Sequence, residues 1–114
     1  FCTMKSPTNL FADLPEKSSQ ELFSTLLDNP QCRIERIVSY GQSSPDRFWY
    51  DQNWDEWVLL LQGCAELDVE GQKVKLVPGD HVLIKAGQKH RITHTDQNQP
   101  TIWLAIHLNE PTKT

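Results

Sequence analysis

The chain has 114 residues, with 15 Asp and Glu against 11 Lys and Arg, a formal net charge of -4. That length suits one domain, 1–114, with one core and one pocket, and leaves no room for a second substrate or cofactor domain. The acidic balance argues against nucleic acid as a partner, because gripping a phosphate backbone relies on clustered Lys and Arg. No run approaches the roughly 20 apolar residues that span a bilayer, and the opening FCTMKSPTNL lacks a basic region followed by an apolar stretch, so no membrane contact is expected. Cys2, Cys32 and Cys64 are odd in number and lack CxxC spacing. Neither a disulfide framework nor a thiolate zinc site is signalled, and the expected location is a reducing cytoplasm.

In chain order, a loop ends at Leu14-Pro15, and Ser18-x-x-Glu21 then forms a capping box ahead of Leu22, Phe23, Leu26 and Leu27 at helical spacing. This predicts a short N-terminal helix, stopped at Asn29-Pro30. Cys32–Ser39 reads as a strand; Ile34 and Arg36 cannot share a flat face with Ile37, which leaves room for a bulge. From Gly41 onward short strands alternate with turn residues, the pattern of an all-β sandwich or barrel rather than of βα units. The expected strands are Phe48–Tyr50, Glu56–Leu61, the alternating run from Ala65 to Val69, Val74–Leu76, His81–Ile84, Arg91–Thr95 and Thr101–Leu108. With Cys32–Ser39 they make about eight. Glu56–Leu61 is apolar on both faces and so needs two covers. One is the core; the other is the N-terminal segment or a second subunit lying over Trp57, Leu59 and Leu61, from which a homodimer is expected.

Two spacings resemble the paired motifs of the cupin superfamily, G-x5-HxH-x3,4-E-x6-G and G-x5-P-x-G-x2-H-x3-N. Gly79, Gly87 and His90 fall at the intervals of the second, with Lys85 in the proline position and His94 in that of the asparagine. Of the first, Glu56-x6-Gly63 is present, but the HxH pair is replaced by Tyr50 and Gln52, or by Trp49 and Asp51 if the gap is one residue longer. The short segment between the motifs, Cys64 to Pro78, and the runs FWYDQNWDEWVLLLQG and TIWLAIHL are similar to small single-domain bacterial cupins of the cupin 2 conserved barrel type. The resemblance implies a cupin double-stranded β-helix, or jelly-roll barrel, with its core at about 32–108, and by itself it assigns no reaction.

In that family the motif histidines and glutamate hold one divalent transition metal inside the barrel: Fe, Mn, Zn, Ni or Cu. Carried over by position, the expected ligands here are Glu56 and His90, with Gln52 in a vacated histidine position. His94 is added because it lies four residues after His90, hence on the same face of a flat strand. Tyr50 is an alternative ligand to Gln52, and Tyr50 and Asp51 are the candidate acid or base residues for an isomerase, with dioxygenase the other reaction class. Trp49 and Trp54 are candidates to line a small-molecule pocket, and Arg47 and Lys85 to hold a carboxylate, although core packing and solvated charge explain these four as well. The competing reading is a degenerate metal site, in which the same groups form a hydrogen-bonded pocket that binds a small ligand without catalysis. His81 is expected at the surface and His107 inside the barrel or at its rim. Cys64 is expected to pack as a small apolar residue.

Overall fold

A computed structural model describes residues 6–110. Its eight strands are β1 (Leu22–Asp28), β2 (Cys32–Ser39), β3 (Asp55–Gln62), β4 (Ala65–Val69), β5 (Gln72–Leu76), β6 (His81–Ile84), β7 (His90–Thr95) and β8 (Thr101–Leu108). They form two antiparallel sheets, one in the order β1-β2-β8-β3-β6 and the other β5-β4-β7. Alternation along each strand sends Val58 and Leu60 of β3, Leu67 of β4, Leu76 of β5, Ile84 of β6 and Trp103 and Ala105 of β8 into the space between the sheets, where they are buried together. The β4–β5 hairpin turns at Glu70-Gly71, both with positive φ (52° and 90°), as a two-residue turn matched to strand twist requires.

The N-terminal helix is not formed, and no helix occurs among the described residues. Ser18 makes a local turn instead, its hydroxyl donating to the Gln20 carbonyl and accepting from the Gln20 N–H, while the Glu21 carboxylate accepts from the Ser39 hydroxyl. The following residues become β1, paired antiparallel with β2. A helix of this length is marginal in water, whereas the open edge of β2 supplies a ready row of backbone partners. The helix-like spacing is absorbed by an irregularity between Thr25 and Leu27, which keeps Phe23 on the inner face and Leu22 and Leu27 on the outer one.

Two further expectations change. The Phe48–Tyr50 strand reduces to a single bridge between Tyr50 and His90. No bulge interrupts β2, whose register with β8 is continuous from Cys32 to Ser39. Arg36 instead faces outward, where its guanidinium donates to the Leu10 and Ala12 carbonyls. Tyr40 and Gln42 similarly donate to the Pro15 and Ser18 carbonyls, so the segment before β1 is strapped to the barrel by side-chain donors rather than by regular structure.

Candidate functional site

A cavity of about 120 Å3 lies between the sheets. Ile37, Val58, Leu67, Ile84, Ile92 and Trp103 form its apolar walls, and Glu35, Tyr50, Gln52, Glu56, His90 and His107 form its polar side. Glu21 and Phe23 reach it from the N-terminal segment and β1. The pairing registers explain the convergence. Glu56 on β3 stands opposite His107 on β8 and Ile84 on β6, all on the inner face. Tyr50 is bridged by reciprocal backbone hydrogen bonds to His90, so that their rings stack with centroids 5.4 Å apart. The Gly87 N–H donates to the Gln52 carbonyl, fixing the loop that carries Gln52 and Trp54.

The polar side chains are ordered by their donors. His90 is only 6% exposed, and its Nδ1 lies 3.0 Å from the Gln88 carbonyl oxygen. A carbonyl can only accept, so Nδ1 carries the proton and Nε2 presents a lone pair to the cavity. Its nearest charged neighbour is Glu56 Oε1 at 3.9 Å, beyond hydrogen-bonding range. Glu56 Oε1 accepts from the Gln52 side-chain amide at 2.7 Å. His107 is arranged the opposite way. The Trp54 indole N–H, a donor only, points at its Nδ1 at 2.9 Å, which places the His107 proton on Nε2, donated to Glu35 Oε1 at 3.0 Å. Glu35 is held in turn by Arg33 at 2.8 Å, and Arg33 by Glu110 at 2.7 Å. Burial pushes the Glu35 carboxyl upward, but the His107 hydrogen bond and the Arg33 charge outweigh it and leave it below the ordinary carboxylate range. Tyr50 is shifted upward, by burial first and then by the charges of Glu21 and Glu56.

Gln52, Glu56, Tyr50 and His90 thus meet at one cavity, whereas His94 does not. A bulge at Thr93, between the Glu66–His94 and Leu67–Ile92 pairs, shifts the alternation of β7, so that His94 is exposed on the outer face while Thr95 turns inward. The same-face argument for His94 holds only in a flat strand. Asp51 is exposed and does not line the cavity, nor do Trp49 and Trp54. Trp49 sits outside the barrel with the Arg91 guanidinium 5.9 Å from its ring centroid, and Trp54 acts on the site through His107. Arg47 and Lys85 are exposed and also stand away from the cavity. Partial burial and the neighbouring Asp96 raise the Cys64 thiol, so nothing activates it as a nucleophile.

Sequence reasoning underrated His107 and passed over Glu35, Glu21 and Phe23. A signal existed for His107, which lies at even spacing from Trp103 and Ala105 on a strand that is apolar from Ile102 to Ile106. Glu35, a lone carboxylate in the middle of β2, is a second such signal.

Two facing antiparallel sheets, closing on a cavity whose polar groups come from paired strands, define a jelly-roll barrel with an internal cavity. The chain belongs to the Cupin domain family, whose pattern matches residues 36–107. A solved structure from Ralstonia eutropha JMP134, provisionally named a mannose-6-phosphate isomerase, is 42% identical, covers 92% of this chain and 99% of its own, and superposes with a TM-score of 0.88. A cupin superfamily protein from Desulfitobacterium hafniense DCB-2 is similar at 24% identity, covering 93% of each chain with a TM-score of 0.76, a likeness of fold alone. The human 3-hydroxyanthranilate 3,4-dioxygenase is 31% identical over 55 residues, which is 48% of this chain and only 18% of that enzyme.

The metal that the family resemblance implies can be tested against the donor set. His90 Nε2 and Glu56 are suitable ligands, but the His107 Nδ1 lone pair is occupied by an indole N–H, Gln52 turns its amide hydrogens toward Glu56, and His94 is outside. Among the described residues no group of three His, Cys, Asp or Glu side chains is arranged to hold a metal ion. Two protein ligands fall short of the three or four that such sites supply, and the residues do not fit the group.

Proposed function

We propose that this protein binds a small organic molecule in the cavity between its sheets, with His90 and Glu56 as polar anchors, and that hydrogen bonds occupy the place a metal takes in the resembled family. The supporting observation is that His90 turns Nε2 into the cavity beside Glu56, where no protein hydrogen bond engages it. A ligand N–H or O–H would find a ready acceptor there. The test is elemental analysis of protein purified without chelators or a nickel column, alongside Glu56→Ala and His90→Ala variants that are confirmed to be folded. The expected result is no stoichiometric metal in any of the three. Metal near one equivalent in the parent, lost from both variants, would overturn the metal-free reading.

The second reading, a metal-dependent enzyme of dioxygenase or isomerase class, draws on one specific observation. His90 donates Nδ1–H to a backbone carbonyl and turns Nε2 inward, as metal-binding histidines do. The names of the Ralstonia and human proteins point the same way. This reading requires Gln52 to give up its amide bond to Glu56 and turn its oxygen inward, which is why it stands second. Tyr50, whose raised pKa keeps the phenol protonated at neutral pH, serves as a hydrogen-bond donor or acid rather than a base.

A homodimer remains part of the proposal. Leu27, Ile34, Ile106, Trp57 and Leu83 form one cross-strand row along the outer face of the five-stranded sheet, with Leu27 and Leu83 each 46% exposed. A second copy is the occupant we infer for this row. A cytoplasmic location accords with the free state of Cys32 and Cys64.

A further inference from the structure

Three carboxylates, Glu21, Glu35 and Glu56, line the cavity, and among the described residues no Lys or Arg does. Only Glu35 is answered by a cation, since Arg33 pairs with it from outside the lining. Glu21 is hydrogen-bonded to a neutral Ser39 hydroxyl and Glu56 to a neutral Gln52 amide, and neither has a Lys or Arg in the lining to balance it, the basic groups there being the imidazoles of His90 and His107.

The hydrogen-bonding inventory points the same way. The donors of Trp54, His107 and Trp103 are already directed at protein acceptors. What remains unmatched is mostly acceptor capacity: the His90 Nε2 lone pair, the second oxygen of Glu56 and the side-chain oxygen of Gln52. Against these stand the Tyr50 hydroxyl and one spare Gln52 amide hydrogen. A phosphate or carboxylate brings only charge of the same sign and acceptors, and would find neither a counter-charge nor enough donors. An ammonium group brings a positive charge and three donors on one small atom. Phe23 and Tyr50, both exposed overall but each contributing to the lining, add aromatic surface suited to a cation, and the apolar walls suit a short hydrocarbon tail.

We infer that the cavity takes a small primary amine in its ammonium form, with the charged nitrogen between Glu56, His90 Nε2 and Gln52 and the apolar tail against Val58, Ile84 and Ile92. This inference rests on the small-molecule reading above and narrows it. It also separates this chain from the anionic compounds in the names of two of its relatives, mannose 6-phosphate and 3-hydroxyanthranilate.

The test uses the full chain labelled with 15N and three probes of matched size: isobutylamine, isobutanol and isobutyrate. The Gln52 side-chain amide and the Trp54 and Trp103 indole signals serve as reporters of the cavity. The expected result is saturable movement of these signals by isobutylamine, at least about tenfold tighter than by isobutanol, with no response to isobutyrate. Glu56→Gln should bring the amine down to the level of the alcohol, and Glu21→Gln should lower amine affinity by a smaller factor. Both spectra report directly whether the fold is kept. Isobutanol or isobutyrate binding as tightly as the amine would overturn the ammonium assignment and leave the small-molecule pocket standing. Zinc binding at one equivalent that expels isobutylamine would overturn it too, by making a metal ion the balancing charge. Failure of all three probes to move any cavity signal would remove the inference and the pocket reading together.

Discussion

His90 and His107 enter the same cavity with opposite protonation patterns, each dictated by one neighbour that has no choice of role: a carbonyl that can only accept, and an indole that can only donate. Nitrogen-15 spectra of the two rings should therefore show the Nδ1–H form for His90 and the Nε2–H form for His107, and Trp54→Phe should disturb the second pattern alone. Replacing His107 by Ala removes the partner of both Trp54 and the buried Glu35, and should cost about 2–4 kcal/mol in a denaturant titration. Glu35 also gives the fold a pH dependence of known sign. Its folded-state pKa is depressed below the unfolded value, so the stability it contributes is present above the ordinary glutamate range and lost as pH falls through the folded value. Glu35→Gln should accordingly be less stable than the parent at pH 7, with the gap closing as pH is lowered below about 4. A gap that stays constant with pH would count against the ionic role.

At the level of the element, two local irregularities shape the strands of the barrel. Gly63 follows β3 with a φ of 85°, and a Cβ there would lie 2.5 Å from Thr101 Oγ1 and 2.9 Å from the Thr101 Cα. Thr101 begins β8 and is fully buried, so it has no room to yield. Gly63→Ala should destabilise the barrel by about 2–4 kcal/mol, seen as a lower denaturation midpoint with an unchanged slope. The β7 bulge at Thr93 is the second irregularity. Deleting Thr93 would remove the extra residue and leave Ile92 opposite Leu67, His94 opposite Glu66 and Thr95 opposite Ala65, so His94 should stay outward and the Thr95 hydroxyl should keep its bond to the Gln42 carbonyl. The expected outcome is a folded barrel that loses only the Thr93 hydroxyl bonds to Glu66, seen as a denaturation midpoint lowered by about 1 kcal/mol of stability. β1 belongs to the same argument: its residues are helical in spacing, but its partner strand decides its form.

At the scale of the molecule, the inner faces of the two sheets build the core and the cavity, and the outer face of the larger sheet carries the apolar row ending at Leu83. If a second copy covers that row, light scattering coupled to size-exclusion chromatography should give twice the chain mass, and Leu83→Lys should return a folded monomer. A parent that runs as a monomer would remove the dimer from the proposal. The His81 ring, 5.3 Å from that of Trp57 in the row, lies directly beside it and would be covered with it.

Much of this architecture was legible in the residues. The turn glycines and the two-residue alternation located β2 and every strand from β3 to β8, because an apolar side chain that recurs every second position has only one face to bury. Glu56, His90, Gln52 and Tyr50 were found by motif position, and the fold brings them to one cavity. Three matters were decided only in three dimensions. The choice of strand over helix at Leu22–Asp28 depended on the free edge of β2, a partner that no local pattern describes. The exclusion of His94 depended on a one-residue bulge, which inverts facing without altering spacing in the chain. The joining of His107 to Glu35 and Trp54 depended on registers between segments 72 and 53 residues apart. Periodicity is a local property and survives in the sequence; the pairing of distant hydrogen-bond donors and acceptors is set by where the strands meet, and appears only when the barrel has closed.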